Sequence, residues 1–249
     1  MDSRERFTPT VEDYAAYRPA YPDALLDWIA EATDVHPPAV VADLGAGTGI
    51  ASRQLAARGY RVTGIEPNAA MLARAEHEGG GPAYRHGEAA ATGLAAGSVD
   101  LVTAAQAFHW FDVPATMAET RRILRPGGWA AAFWNIRAST PFLLAYEACL
   151  QAFSDREPRA KDVPPTRASL AAIRAAAAVA NAREAEFPNR QRLDRAGLFG
   201  RARSASYVHH AISRREEFER ELGGLFARFA HDGYVEFVYQ AAGICWQLP

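Results

Sequence analysis

A chain of 249 residues with a formal net charge of −2 has no global basic field to hold nucleic acid or an anionic membrane. Its two cysteines, Cys149 and Cys245, and its seven histidines lack ligand-like spacing, so neither a disulfide framework nor a metal centre is expected. No apolar run reaches the ~18 residues of a spanning helix, and residues 1–20 mix charges without an apolar core, so a cytoplasmic protein is expected.

Periodicity then divides the chain. Leu25, Leu26 and Ile29 mark a first helix. Val40–Leu44 is a short apolar run ending in glycines, which predicts a buried strand. A helix follows over about 48–58, closed by Gly59. Arg61–Glu66 predicts a second strand, and Pro67-Asn68 opens a helix through about His77. Gly79–Pro82 is a turn, Ala83–His86 a third strand and Val99–Ala104 a fourth. A helix over about 113–124 places Met117, Thr120 and Leu124 on one face. Arg125-Pro126-Gly127-Gly128 breaks it before a fifth strand, Trp129–Trp134. Strands alternating with helices predict an α/β fold, doubly wound, with helices on both faces of a parallel sheet.

Past Asn135 the pattern changes. Leu143, Tyr146, Leu150 and Phe153 have the 3-4-3 spacing of an amphipathic helix. Residues 155–167 are charged and carry prolines, and 168–185 are alanine-rich and predicted helical. Within a single domain, 1–249, the segment 137–190 therefore reads as a helical cap insertion over the sheet's ligand edge. It stands between an N-terminal lid, 1–35, and the last two strands, 191–249. There Arg201–Val208 is expected as one strand, the stripe Phe218, Leu222, Leu225 and Phe229 as a helix, and Val235–Cys245 as the other strand.

The chemistry-bearing motif is Asp43-Leu44-Gly45-Ala46-Gly47-Thr48-Gly49, set between a predicted strand and a predicted helix. Glycines there let the backbone approach a ligand closely. Glu66 ends the next strand, 21 residues after Gly45, where an acid can accept both ribose hydroxyls of an adenosine. A dinucleotide fingerprint wants glycine at position 50, which is Ile50. Asp43 would repel a pyrophosphate but tolerates a ligand with an ammonium and a sulfonium. Both details favour S-adenosylmethionine over NAD. An NAD-dependent oxidoreductase and a non-catalytic S-adenosylmethionine-binding protein remain the alternatives.

These residues resemble the class I S-adenosylmethionine-dependent methyltransferases, over about 10–135 and again about 193–245. Asp43–Gly49 is similar to the family's first motif and Glu66, followed by Pro67, to its ribose-binding acid. Gly87-Glu88-Ala89 resembles the adenine-side motif, and Leu124–Gly128 the turn before the fifth strand. Ala90 and Gly93 depart from the acid and proline that commonly follow. Tyr17–Pro22 and Gln106–Phe111 resemble segments of the small-molecule subgroup similar to trans-aconitate methyltransferase. The resemblance implies a seven-stranded, mostly parallel Rossmann-like sheet with an antiparallel last strand. It also implies S-adenosylmethionine as cofactor and in-line methyl transfer to a small-molecule acceptor.

Candidate residues follow. Asp43, Gly45, Ala46, Gly47, Glu66, Pro67, Glu88, Ala89, Gln106 and Phe108 are expected at the cofactor, with Arg18 on its methionine carboxylate or in a surface salt bridge. His109, just past the fourth strand, is the candidate general base, since its ordinary pKa of about 6.5 suits neutral pH; packing beside the cofactor is its other role. Tyr14, Tyr21, Trp110, Trp134 and Asn135 are expected toward the acceptor. Arg137 pairs with an acidic acceptor or lies in solvent. The expected partner is a small molecule, not nucleic acid or membrane, with the chain a monomer or homodimer.

Overall fold

The computed structural model describes residues 8–153, 166–175, 179–205 and 214–248. Seven strands form one sheet in the order β3-β2-β1-β4-β5-β7-β6. They are β1 (Val40–Leu44), β2 (Arg61–Glu66), β3 (Ala83–His86), β4 (Val99–Ala105), β5 (Leu124–Arg137), β6 (Ala180–Leu193) and β7 (Val235–Gln247). The described helices are α1 (Val11–Tyr17), α2 (Asp23–Thr33), α3 (Ile50–Ala57), α4 (Ala69–Glu78), α5 (Val113–Ile123), α6 (Pro141–Phe153), α7 (Thr166–Ala175), α8 (Arg195–Arg203) and α9 (Arg215–Phe229). None is long and apolar enough to cross a membrane.

The first five strands pair in parallel, with Asp43 opposite Gly64 and Thr103, and Glu66 opposite His86. β7 runs against its neighbours. Ala138 N donates to Val238 O, whereas Gln247 Nε2 donates to Gly127 O, so early residues of β5 meet late residues of β7. On its other side Asn181 bonds Gln247 and Arg190 bonds Glu236, the same reversal against β6.

The chain divides into two compact units. The first comprises described residues within 20–135, 165–187 and 241–249. Its core joins Leu25, Leu26 and Ile29 of α2 to Val41, Val62 and Leu101 of the central strands and Leu55 of α3. Trp129, Ala131 and Phe133, at the two-residue period of a strand, add one face of β5. Each fully buried Leu or Ile contributes roughly 1.5–3 kcal/mol.

The second unit draws on 1–19, 136–164 and 188–240. Its core is largely helical: Phe142, Tyr146 and Leu150 of α6, Leu198 and Ala202 of α8, and Phe218 and Leu222 of α9, packed with Phe237 and Tyr239 of β7. Here α1 lies on α8 at Gly200, where a Cβ would stand 2.0 Å from the Tyr17 ring. Alanine would gain about 1 kcal/mol in helix propensity, but overpacking costs roughly 1–3 kcal/mol and displaces the ring. Gly200→Ala should therefore lose up to about 2 kcal/mol, read from its urea midpoint; a variant more stable than the wild type would show that Tyr17 yields freely.

Three elements differ from expectation. Arg125–Gly128, expected as a break before the fifth strand, lies inside β5, which begins at Leu124. The helix expected over 168–185 ends at Ala175, and β6 starts at Ala180. From Ala185 to Leu193 every second residue turns inward, but two of these are Asn189 and Gln191, which hide the apolar alternation. Pro188 is tolerated because β6 is the last strand in the order. The strand expected over 201–208 is helical through Arg203, and 206–208 lie outside the described residues. Asp194 starts that helix by accepting Gly197 N–H at 2.7 Å, and Leu198 and Ala202 bury its inner face.

Candidate functional site

The loop leaving β1 is built around a buried acid. Asp43 is fully buried and accepts the hydroxyls of Ser52 at 2.6 Å and Thr103 at 2.8 Å. Burial outweighs those two bonds and pushes its pKa from 3.8 up to about 6. The N–H groups of Gly45 and Ala46 both donate to Ile65 O, at 2.8 and 3.1 Å, tying the loop to the end of β2. Gly45 has φ +68°, and a Cβ there would stand 2.6 Å from Ala107 Cβ. Gly47, at φ +58°, differs: nothing lies within 4 Å of where its Cβ would be. This is the open side of the loop.

Glu66 closes the loop from the next strand. Its Oε2 accepts Gly47 N–H at 2.8 Å and its Oε1 accepts Asn68 N–H at 2.9 Å. One carboxylate thus fixes both the glycine turn and the entry to α4, where Asn68 Oδ1 caps Met71 N–H at 2.9 Å. Burial raises the Glu66 pKa, against the lowering by the two N–H bonds. Each oxygen still has acceptor capacity for a hydroxyl. The carbonyl of Pro67 accepts from His86 Nε2 at 3.1 Å. Beyond β3, Glu88 and Ala91 form a small bridge that leaves Glu88 exposed and Ala89 half-buried.

At the end of β4, Gln106 takes φ +57°, a left-handed conformation unusual for a side-chain-bearing residue. Its N–H donates to Phe133 O at 2.9 Å and its Nε2 to Asn135 O at 3.3 Å. Asn135 Nδ2 in turn donates to Ala20 O at 3.2 Å. Tyr21 is held by mutual bonds with Gln54 and stands edge-on to Phe133 at 4.7 Å. A 3-10 turn, Phe108–Trp110, follows, and α7 packs on it. Phe108 is buried edge-on to Trp246, whereas Trp110 is 36% exposed. His109 carries a buried Nδ1 without a hydrogen-bond partner, as does Trp134 at Nε1. Burial pushes the His109 pKa from 6.5 down to about 4, so its ring is neutral at pH 7.

All these residues belong to the first unit, and Asp43, Gly45, Gly47, Glu66, Gln106 and His109 lie at or just past the carboxyl ends of β1, β2 and β4, where open sheets bind ligands. Three other candidates belong to the second. Arg18 donates to Ser204 O at 3.0 Å, and its guanidinium lies 4.6 Å over the Tyr14 ring. Arg137 pairs with Glu147 at 2.6 Å. Sequence reasoning did not single out Ser52 or Thr103, since Thr103 meets Asp43 only through strand register; Asn68 it placed at the helix start, where the structure has it as the N-cap.

Residues 42–132 match the methyltransferase-domain family. An uncharacterised methyltransferase-like protein of Schizosaccharomyces pombe is 36% identical over 135 residues, 54% of this chain and 53% of its own. An uncharacterised methyltransferase of Mycobacterium tuberculosis is 37% identical over 131 residues, 53% of this chain and 52% of its own. The chain thus spans about half the length of the curated relatives it matches. Among solved structures, a protein of Anaeromyxobacter dehalogenans described as a candidate type II methyltransferase is 25% identical, with a TM-score of 0.65 over 92% of this chain and 95% of its own. Residues 42–132 thus carry a methyltransferase-type domain, and the chain shares the fold of a solved protein described as a methyltransferase.

Proposed function

We propose that this chain transfers the methyl group of S-adenosylmethionine to a small-molecule acceptor by in-line displacement. The observation that carries this reading is Glu66, locked by Gly47 and Asn68 with acceptor capacity left for a ribose diol. The donor set fits the cofactor in two further ways. Gly47 leaves its side of the loop open, and Asp43 puts a carboxylate under that loop. That charge suits a cationic ligand and disfavours the pyrophosphate of NAD. When bound, S-adenosylmethionine supplies a methyl group on a sulfonium, already a good leaving group.

What remains for the protein is positioning. Holding two reactants in line is worth roughly 7–11 kcal/mol of barrier. The glycine loop and Glu66 would fix the adenosine. Gln106, strained at the mouth of β4, fixes the start of the turn that carries His109. The His109 ring is neutral at pH 7, so it can take a proton from an acceptor that carries one and reaches a ring nitrogen. A small acceptor suits a chain of net charge −2 and a turn covered by α7.

Calorimetric titration with S-adenosylhomocysteine, with NADH in parallel, tests the cofactor. Binding of the first alone, followed by transfer of labelled methyl to a small acceptor, is the expected result; binding of NADH alone would overturn the reading. His109→Ala should leave S-adenosylhomocysteine affinity unchanged and lower kcat by roughly 10²–10⁴-fold. Because His109 stays neutral down to about pH 4, wild-type kcat/KM should hold through pH 6.5 and fall only in more acid solution. Full turnover in the variant would make His109 a packing residue.

A further inference from the structure

The chain leaves β4 through a backbone conformation that glutamine rarely takes. Gln106 has φ +57°. The other side-chain-bearing residues with positive φ among the described residues are Asp34, Asn181 and Asp232. Those are the short polar types that adopt the left-handed region at least cost. Elsewhere the described chain uses glycine for positive φ, as at Gly45, Gly47 and Gly49 of the loop after β1. Gln106 has neither advantage, so its surroundings must hold it there.

Two bonds to β5 do so. Gln106 N–H donates to Phe133 O at 2.9 Å, and its Nε2 donates to Asn135 O at 3.3 Å. Phe133 and Asn135 stand on one strand, so β5 holds both the backbone and the side chain of Gln106. Beyond Gln106 the chain closes on itself: Trp110 N–H donates to Ala107 O at 2.9 Å and Phe111 N–H to Phe108 O at 3.2 Å. That turn abuts the glycine loop. Ala107 Cβ lies 2.6 Å, and the Phe111 ring 3.2 Å, from where a Gly45 Cβ would stand. Gln106 is thus the joint between the sheet and a hydrogen-bonded turn seated on Gly45.

We propose that Gln106 is a positioning residue for the glycine loop: through its side-chain bond to Asn135 it seats the Ala107–Phe111 turn against Gly45 and keeps the loop in the shape that takes the cofactor. A rotation at Gln106 would lift Ala107 and Phe111 from Gly45, whose own φ of +68° and bond to Ile65 O at 2.8 Å set the course of the loop. Glycine at position 106 would adopt the backbone with no steric cost. It would also leave the turn free to swing, because it has no amide to bond Asn135 O. A side chain that the backbone disfavours is thereby given a use. This role rests on the reading of the loop as the cofactor's; loop exchange and cofactor affinity, measured separately, tell the two apart.

Amide hydrogen exchange and calorimetry on the full chain test it, with S-adenosylhomocysteine as the probe. Gln106→Gly loses the side-chain bond but relieves the backbone, so its urea midpoint should stay close to that of the wild type. Its Gly45 and Ala46 amides should nonetheless exchange roughly five-fold faster or more, and S-adenosylhomocysteine should bind more weakly by a similar factor. Leu222 of α9 should exchange as in the wild type. A midpoint that falls along with the affinity would mark Gln106 as structural only. Asp232→Gly, the same change at a left-handed position of the other unit, should alter neither loop exchange nor affinity. Gln106→Asn suits the backbone, but its amide is one methylene short of Asn135 O. It should behave as the glycine variant does, and it takes that variant's place if the latter does not fold. Loop amides that exchange as in the wild type would overturn the assignment, and so would faster exchange with unchanged affinity. Faster exchange in the variant, when even the wild type binds no S-adenosylhomocysteine, would keep Gln106 as the holder of the loop and sink the cofactor reading alone.

Discussion

Glu66→Gln should weaken S-adenosylhomocysteine binding roughly 10- to 150-fold, the worth of about 1.5–3 kcal/mol for hydrogen bonds to a charged group. The substitution keeps length and shape but removes the charge. It also removes one of two acceptor oxygens. Gly47 N–H and Asn68 N–H now face both oxygens, so in either orientation the new amide turns its NH₂ toward a backbone donor. Part of the loss would therefore come through the loop. A ligand lacking the ribose hydroxyls separates the two effects. On the wild type, the 2′,3′-dideoxy form of S-adenosylhomocysteine should lose a comparable factor. On Glu66→Gln it should lose little more, because the same contact is already gone. Equal affinity of variant and wild type for the intact ligand would remove Glu66 from the ribose.

The β1-to-β5 half of the fold was legible because its central strands, β1 and β4, are buried on both faces. Val40–Leu44 and Val99–Ala105 are short apolar runs bounded by turns, which is how buried parallel strands read. β6 has no such run. Two of its inward positions are amides, and Gln191 is acceptable there because it donates to Tyr17 O and lies against Tyr239 Oη. Nothing local announces those partners, which are 174 and 48 residues away. Arg201–Ser204 misled for the opposite reason. Its alternating arginines look extended, but the Asp194 cap and the i,i+4 pair Leu198 and Ala202 commit it to helix. At the candidate site, the glycine loop after β1 and the place of Glu66 at the end of β2 were legible. The hydroxyls that hold Asp43 were not: Thr103 reaches it only through strand register, 60 residues on.

Asp43→Asn should grow more stable relative to the wild type as pH rises. Below about pH 3 the carboxyl is protonated in both folded and unfolded chains, and the pair differ only by a constant offset. Between pH 3.8 and about 6 the unfolded chain ionises while burial keeps the folded chain protonated, so the unfolded state gains. Above about pH 6 the folded carboxyl ionises too, and the wild type has by then lost roughly 3 kcal/mol through this one group. Asparagine does not titrate. It keeps an acceptor for one hydroxyl and offers a donor to the other, with Ser52 and Thr103 both able to rotate. The stability difference, taken from denaturant titrations at pH 3 and pH 7.5, should shift by about that amount in the variant's favour. A difference that stays flat would mean that Asp43 titrates as an exposed aspartate does. Cofactor affinity should move the other way, with S-adenosylmethionine bound more weakly by the variant at pH 7.5 because the charge under the loop is gone. A buried carboxylate that lowers stability at working pH does not serve packing. Beside an open glycine it suits a site whose ligand is a cation.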